Sequence, residues 1–291
     1  MTTDPEPVFF ALHVPKCAGS TIEFHMLRHL GAAQVWIPKK RWRKLPPLAP
    51  PLYKATSPEH IRTVRFVSGH YLGQSIERLF AGRPIRRSVL LRDPVSFHLS
   101  YYNFRMMRYR HQGLNPYSFE THLLSQPDDP MSHFLLSRWL EIPWPRLLTM
   151  PPAVKYDLIN ESLARFWFVA DYRQCDALSR QMSTDLGIST QVERANTKEI
   201  WQSVVTWRPI TREDLTPKQI EMIERRTMID QRLWQTWRNA GHDVVSVRPL
   251  PLPEAAGAAF AAHELKRPYH SAARRMARGW DVVGTPPPSP R

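Results

Sequence analysis

Three short apolar runs near the start of the chain each end abruptly in a polar loop, and this arrangement constrains the fold more than any other feature. The runs are Val8–Val14, Val64–Ser68 and Ser88–Leu91. They are rich in β-branched and aromatic residues, which is typical of strands that are buried on both faces of a parallel sheet. Parallel strands need crossover connections. The pattern therefore predicts an α/β fold with a central parallel sheet flanked by helices in three layers.

Helical spacing and end signals predict the elements between and after these strands. Proline at the first turn, a capping box and glycine just past the end are the signals used. A fourth strand is predicted at Phe166–Ala170. The predicted helices are Ser20–Leu30, Pro94 to about Arg110, and one directly after the fourth strand. A last helix is predicted from an N-cap at Thr216, with Gln219 at the capping-box position, to a stop at Gly241.

Composition shifts divide the chain of 291 residues into a domain and a tail. We expect residues 1–247 to form the folded domain, because that length can bury a large core. Residues 36–60 combine repeated proline with the basic run 39–44, which predicts a long irregular excursion. Residues 248–291 are rich in Pro, Arg and Ala, and the composition of their end predicts disorder.

Charge and cysteine content limit the partners and the compartment. The 40 Lys and Arg residues exceed the 26 Asp and Glu residues, giving a formal charge of +14, so the protein should attract polyanions. Two cysteines, Cys17 and Cys175, are too few for a disulfide framework and predict reduced thiols. No run approaches the roughly 18 apolar residues of a membrane span, and no leader is recognisable. We expect a cytoplasmic protein without a membrane span, for which peripheral membrane contact and oligomeric state stay open.

The loop after the first strand has the composition of an anion site. It reads "PKCAGST", with Lys16 ahead of small residues that open a helix. Backbone N–H groups can approach an anion closely there, the helix dipole adds positive potential, and Lys16 adds a point charge. A Walker A loop needs its lysine after the glycine, so the loop does not have that pattern.

Two further strands end in residues suited to the same chemistry. Arg92 follows the third strand and Ser100 lies in the next helix, and a guanidinium with a hydroxyl suits phosphate oxygens. His70 follows the second strand between Gly69 and Gly73, and an imidazole suits proton abstraction near neutral pH. The carboxyl ends of parallel strands meet at one edge, so we expect these groups to lie together.

The "PKCAGST" and "RDP" loops together resemble the 5′-phosphosulfate and 3′-phosphate motifs of sulfotransferases that use 3′-phosphoadenosine 5′-phosphosulfate (PAPS). The Gly-His pair resembles that of the carbohydrate, heparan sulfate 2-O-like, branch. The resemblance implies a P-loop-like fold with PAPS as donor. It implies donor contacts from Lys16, Ala18, Gly19, Ser20, Thr21, Arg92 and Ser100, and Lys16 and His70 as catalytic residues, with His70 the general base. "VERANTKE" resembles the loop that closes over the nucleotide, which adds Arg194, Thr197 and Lys198.

These observations predict sulfuryl transfer to a hydroxyl acceptor, most simply an anionic saccharide or glycoconjugate, by in-line displacement. No His and Cys spacing is typical of a metal site, so no metal is expected. Nucleic acid is not expected as a partner. Two alternatives stay open: an NTP-dependent, kinase-like phosphotransferase, and a non-catalytic basic protein that binds polyanions.

Overall fold

The computed structural model describes residues 5–38, 57–113, 115–193 and 208–239. Its strands are β1 (Val8–Leu12), β2 (Val35–Trp36), β3 (Phe66–Gly69), β4 (Ile85–Leu91) and β5 (Phe168–Asp171). They form one sheet in the order β2-β3-β1-β4-β5, and every pairing is parallel. The α/β prediction, with helices flanking a parallel sheet, is thus confirmed.

The central strand explains the continuous apolar run that opens the chain. All five residues of β1 are buried. Phe9 lies opposite Phe66 of β3 on one side and Arg86 of β4 on the other. Because helices cover both faces of the sheet, the side chains on both faces of this strand are buried, and the usual alternation of apolar and polar residues is absent from β1.

In two places one helical segment continues directly into the next: the π-helical turn follows Phe134, and an α-helix follows Gln174. The α-helices are α1 (Gly19–Leu30), α2 (Pro58–Thr63), α3 (Pro94–His111), α4 (Phe119–Ser125), α5 (Pro130–Phe134), α6 (Trp144–Thr149), α7 (Pro152–Leu163), α8 (Cys175–Leu186), α9 (Pro217–Arg226) and α10 (Met228–Trp237). Short 3₁₀ segments cover Gln74–Phe80 and Tyr172–Gln174, and a π-helical turn covers Leu135–Trp139. None of the described helices combines the length and apolar character needed to cross a bilayer.

Two sequence predictions need correction. The irregular excursion was set too wide: Trp36 belongs to β2, and Pro58 opens α2 under a Ser57 cap, while residues 39–56 lie outside the described part. The helix predicted from Thr216 has its capping box, but it breaks at Thr227, whose φ is −131° and ψ is 37°. The amides that open α10 are capped by Asp129, a distant residue that no local pattern could indicate. Gly241 lies outside the described residues.

The strand order creates a crevice at one position of the sheet. The connection after β1 leads to β2 on one side, whereas the connection after β4 leads to β5 on the other. Adjacent strands whose outgoing connections diverge leave a gap beyond their carboxyl ends, where ligands bind in open α/β sheets. The loops after β1 and β4 are the ones predicted to hold an anion.

Helix α3, which follows β4, is anchored by a second apolar cluster that contains two buried histidines. The apolar members are Val95, Tyr102, Met106, Phe119, Leu123 and Ile223. The ring centroids of His98 and His122 lie 5.7 Å apart. Burial lowers the pKa of His98 to about 4 and that of His122 to about 3. Within the described residues, neither ring nitrogen of His122 has a hydrogen-bond partner.

We predict that His122→Phe weakens the acid sensitivity of the fold. Both histidines are neutral when folded but bind protons below about pH 6.5 when unfolded, so the free energy of unfolding decreases as pH falls from there towards 4. Phenylalanine keeps the ring stacked on Phe119 and removes two unsatisfied nitrogens, a gain of about 1–3 kcal/mol. Urea denaturation between pH 4.5 and 7.5 measures the slope. An unchanged slope would contradict the prediction.

Candidate active site

The loop from His13 to Ala18 joins β1 to α1 and holds an unusual backbone. Lys16 has a φ of 65° and Ala18 a φ of 64°, both left-handed. That conformation costs a residue with a Cβ about 1–2 kcal/mol, and such strain concentrates at functional sites. Ala18 is the N-cap of α1 and supplies no side-chain cap, and no acidic residue lies in the first turn. The positive end of the helix dipole therefore faces this loop, and its own first turn supplies no acidic residue to offset it.

Two cations meet at the crevice between β1 and β4. Arg92 donates from Nη1 to the carbonyl oxygen of Lys16 at 2.8 Å, and its guanidinium carbon lies 3.9 Å from the ring centroid of Tyr172. The ammonium of Lys16 lies 4.0 Å from the ring centroid of Phe104. No carboxylate of the described residues lies within 4.0 Å of either cation. The Nε of Arg92 is buried and has no partner in that part of the chain.

The surroundings of Lys16 disfavour its charged form. Burial, and then the positive charge of Arg92, lower its pKa to about 8. Asp93 does not neutralise the pair, because its carboxylate accepts the backbone N–H of Ser96 and caps α3. A bound anion would relieve the repulsion between Lys16 and Arg92 and favour the charged ammonium.

Ser100 lies on α3 and is half-buried. It precedes Phe104 by one helical turn, and side chains at that spacing share a face. Phe104 carries the ring on which the Lys16 ammonium rests. The structure brings together Lys16 and Arg92 and adds Tyr172 and Phe104 as aromatic supports, whereas the donor contact of Ser100 stays a prediction.

The small residues of the loop form a hydrogen bond within the turn and leave space for the His13 ring. The amide of Thr21 donates to the Ala18 carbonyl at 3.0 Å, so its backbone N–H is used within the turn and its hydroxyl is the group left for a ligand. A Cβ on Gly19 would lie 2.2 Å from Cδ2 of His13. Gly19 is therefore required by the packing of the His13 ring, a reason that the sequence interpretation did not include. Ser20 is half-buried in the first turn.

His70 lies on the other side of the same loop, after β3. Gly69 has a φ of 146°, which a residue with a side chain rarely adopts. Nδ1 of His70 donates to the carbonyl oxygen of His13 at 2.7 Å. A carbonyl can only accept, so the neutral ring carries its proton on Nδ1 and leaves Nε2 as the basic nitrogen. Burial, and then the charge of His13, lower the pKa of His70.

Aromatic and cationic side chains surround this imidazole. The ring of Phe134 lies 6.4 Å from that of His70, and Arg138 lies 5.2 Å from the ring of Tyr71. Arg138 is exposed on the π-helical turn, and its charge also lowers the pKa of His70. Single π turns inside helices are rare and are frequent at functional sites.

Several predicted residues do not contribute here. Arg194, Thr197 and Lys198 lie outside the described residues, as does the basic run 39–44. Cys17 and Cys175 are both buried, and their reduced state stays a prediction. Burial raises the pKa of the Cys17 thiol. In the described part of the chain, no group of three or more His, Cys, Asp or Glu side chains is arranged to hold a metal ion.

Comparison with protein-family models, curated proteins and solved structures finds no match to this chain. Its functional interpretation therefore depends on its own geometry. The loop after β1 separates two cations, which have no ion-pair partner among the described residues, from a histidine with a fixed tautomer. Such an arrangement can bind an oxyanion on one side and remove a proton on the other.

We predict that Gly19→Ala destabilises the fold although alanine favours helices. Alanine gains about 1 kcal/mol in a helix relative to glycine, but its Cβ overlaps the His13 ring, and overpacking costs about 1–3 kcal/mol. Chemical denaturation and the NMR contacts between the His13 and His70 rings measure the effect. Ser20→Ala, one position along, is the control and leaves those ring contacts in place. A Gly19→Ala variant that is more stable and has unaltered ring contacts would contradict the prediction.

Proposed function

We propose that this protein is a sulfotransferase that moves a sulfuryl group from PAPS to a hydroxyl of an anionic saccharide or glycoconjugate. One observation carries the proposal: Arg92 bonds to the backbone of Lys16 beside the start of α1, and no described residue supplies a counter-ion or a side-chain cap there. These groups suit a ligand with several negative charges. The resemblance of both loops to PAPS motifs supports that ligand over other oxyanions.

The donor would be held at both of its phosphate ends. Lys16 and the first turn of α1 suit the 5′-phosphosulfate, since a point charge and a helix dipole act together there. Arg92 and Ser100 suit the 3′-phosphate. Arg92 uses one N–H on the loop carbonyl and is held flat against Tyr172, which leaves its remaining donors oriented. A 3′-phosphate contact of this kind would distinguish PAPS from ATP.

His70 would act on the acceptor. Its Nε2 takes the proton of the acceptor hydroxyl while the hydroxyl oxygen forms a bond to sulfur. The bond from sulfur to the 5′-phosphate oxygen breaks in the same step, and Lys16 stabilises the charge that develops on that oxygen. The products are a sulfate ester and 3′,5′-adenosine bisphosphate, with the proton on His70.

The surface beside His70 favours an anionic sugar as the acceptor. Tyr71 and Arg138 offer an aromatic ring next to a cation, with 5.2 Å between the guanidinium carbon and the ring centroid. Aromatic faces suit the apolar faces of sugar rings, and a guanidinium suits carboxylate or sulfate. The formal charge of +14 would attract such an acceptor at long range.

The compartment also belongs to this proposal. The chain has two cysteines, too few for a disulfide framework. A low cysteine content fits a reducing environment, so we propose that the transfer takes place in the cytoplasm.

Calorimetric titration with 3′,5′-adenosine bisphosphate, ATP and AMP tests the donor site. We expect the bisphosphate to bind more tightly than ATP or AMP, and Arg92→Ala to weaken it about 10- to 100-fold, because charge-assisted hydrogen bonds are lost. Arg173→Ala is the matched control: Arg173 also approaches the Tyr172 ring, at 5.2 Å, but it pairs with Asp171. Preference for ATP would favour the kinase alternative. Salt-sensitive binding that ignores Arg92 would favour the polyanion binder.

A second test removes the base. We predict that His70→Gln lowers kcat for sulfuryl transfer about 10²- to 10⁴-fold, the range for loss of general base catalysis. The affinity for the bisphosphate should not change, since His70 lies across the loop from the cations. His29→Gln, at the far end of α1, is the control. Full turnover by His70→Gln would remove this residue from the mechanism.

A further inference from the structure

A second histidine is built into the support of His70. The ring centroids of His13 and His70 lie 4.0 Å apart with an angle of 38° between the planes. The carbonyl of His13 also accepts the Nδ1 proton of His70. One residue therefore contacts the base in two ways, through its backbone and through its ring.

The ring of His13 is itself held in place. Its Nδ1 donates to Oε1 of Glu23 at 2.8 Å, and the hydroxyl of Ser68, which has the Ala11 carbonyl as its other acceptor at 2.8 Å, lies 2.9 Å from the same oxygen. Gly19 leaves the space that the ring fills. His13 is only 6% exposed, whereas part of the His70 side chain reaches solvent. The inner histidine is thus placed to support the outer one and not to meet an acceptor.

We propose that His13, held by Glu23, is a positioning residue that keeps the His70 ring oriented for proton transfer. The effect on turnover rests on the proposed function. The contact between the two rings does not, because it belongs to the folded protein. Glu23 acts through His13, and neither residue is expected to touch the substrates.

Three charged or titratable groups face His70, each from a different element. They are His13 from the loop after β1, Glu23 from α1 and Arg138 from the π-helical turn. The charges of His13 and Arg138 lower the pKa of His70, whereas the carboxylate of Glu23 raises it. His13 and Glu23 have opposite effects on the pKa of His70, so removing each in turn tests the two effects separately.

Two variants should therefore shift the titration of His70 in opposite directions. His13→Asn removes the ring and its charge, so the pKa of His70 should rise. Glu23→Gln keeps a carbonyl acceptor for His13 and removes the negative charge, so the pKa should fall. NMR titration of isotope-labelled histidine rings measures both shifts and also reports the tautomer. The pair of His29 and Glu193, 3.6 Å apart near the other end of α1, provides the controls His29→Asn and Glu193→Gln.

The kinetic test uses the same variants. The acidic limb of kcat/KM should move to higher pH in His13→Asn and to lower pH in Glu23→Gln. We expect kcat to fall about 10- to 100-fold in His13→Asn, since a misplacement of about 1 Å can have that effect. If His13 and Glu23 only stabilised the fold, the variants would lose activity without a shift of the acidic limb of kcat/KM.

The outcomes separate this inference from the proposed function. Opposite NMR shifts in a protein without sulfuryl transfer would support the ring coupling and sink the proposed function. The positioning role would be wrong if the wild-type protein transfers sulfuryl groups but both variants leave the His70 titration and the acidic limb of kcat/KM unchanged. If His13→Asn does not fold, Glu23→Gln decides alone, because it preserves side-chain size and an acceptor for His13 Nδ1.

Discussion

The hydrogen bond from Arg92 to the carbonyl of Lys16 joins the end of β4 to the loop after β1 at the divergence point of the sheet. It lies where two strand connections leave in opposite directions, so it forms the base of the crevice between these connections. It also brings a guanidinium close to an ammonium. That proximity is unfavourable without an anion, and after burial, which is the larger cause, it contributes to the lowered pKa of Lys16. The fold thus places the positive charges of Lys16 and Arg92 close together, and a bound anion would reduce their repulsion.

Helix α10 supports both sides of this crevice. Asp230 accepts the amides of Met131 and Ser132 at the start of α5, which leads to Phe134 and Arg138 beside His70. Asp129 in turn caps α10, so each helix supplies the carboxylate that caps the other. Trp234 donates to Asp171 at the end of β5, next to the aromatic support of Arg92. A helix outside the site therefore fixes the residues on both of its walls.

Local sequence patterns predicted the parts of this arrangement that local physics determines. Buried strands gave continuous apolar runs, and polar residues after β1, β3 and β4 met at one edge because parallel strands place them there. Phe104 was also within reach of sequence reasoning, since it lies one turn after Ser100. The pairing of His13 with Glu23 was not, because it depends on how the chain folds back after the loop. The two-residue strand β2 and the break at Thr227 have non-local causes as well.

The packing of the His13 ring over Gly19 links two positions that a sequence comparison would treat as separate. A chain with an aromatic or imidazole ring at position 13 must keep glycine at position 19, because any Cβ there meets the ring. A chain with a small residue at position 13 is free of that restriction and can open its helix with alanine or serine. The glycine is then an indicator of the inner histidine, and the two positions should be exchanged together in any redesign or divergence of this loop.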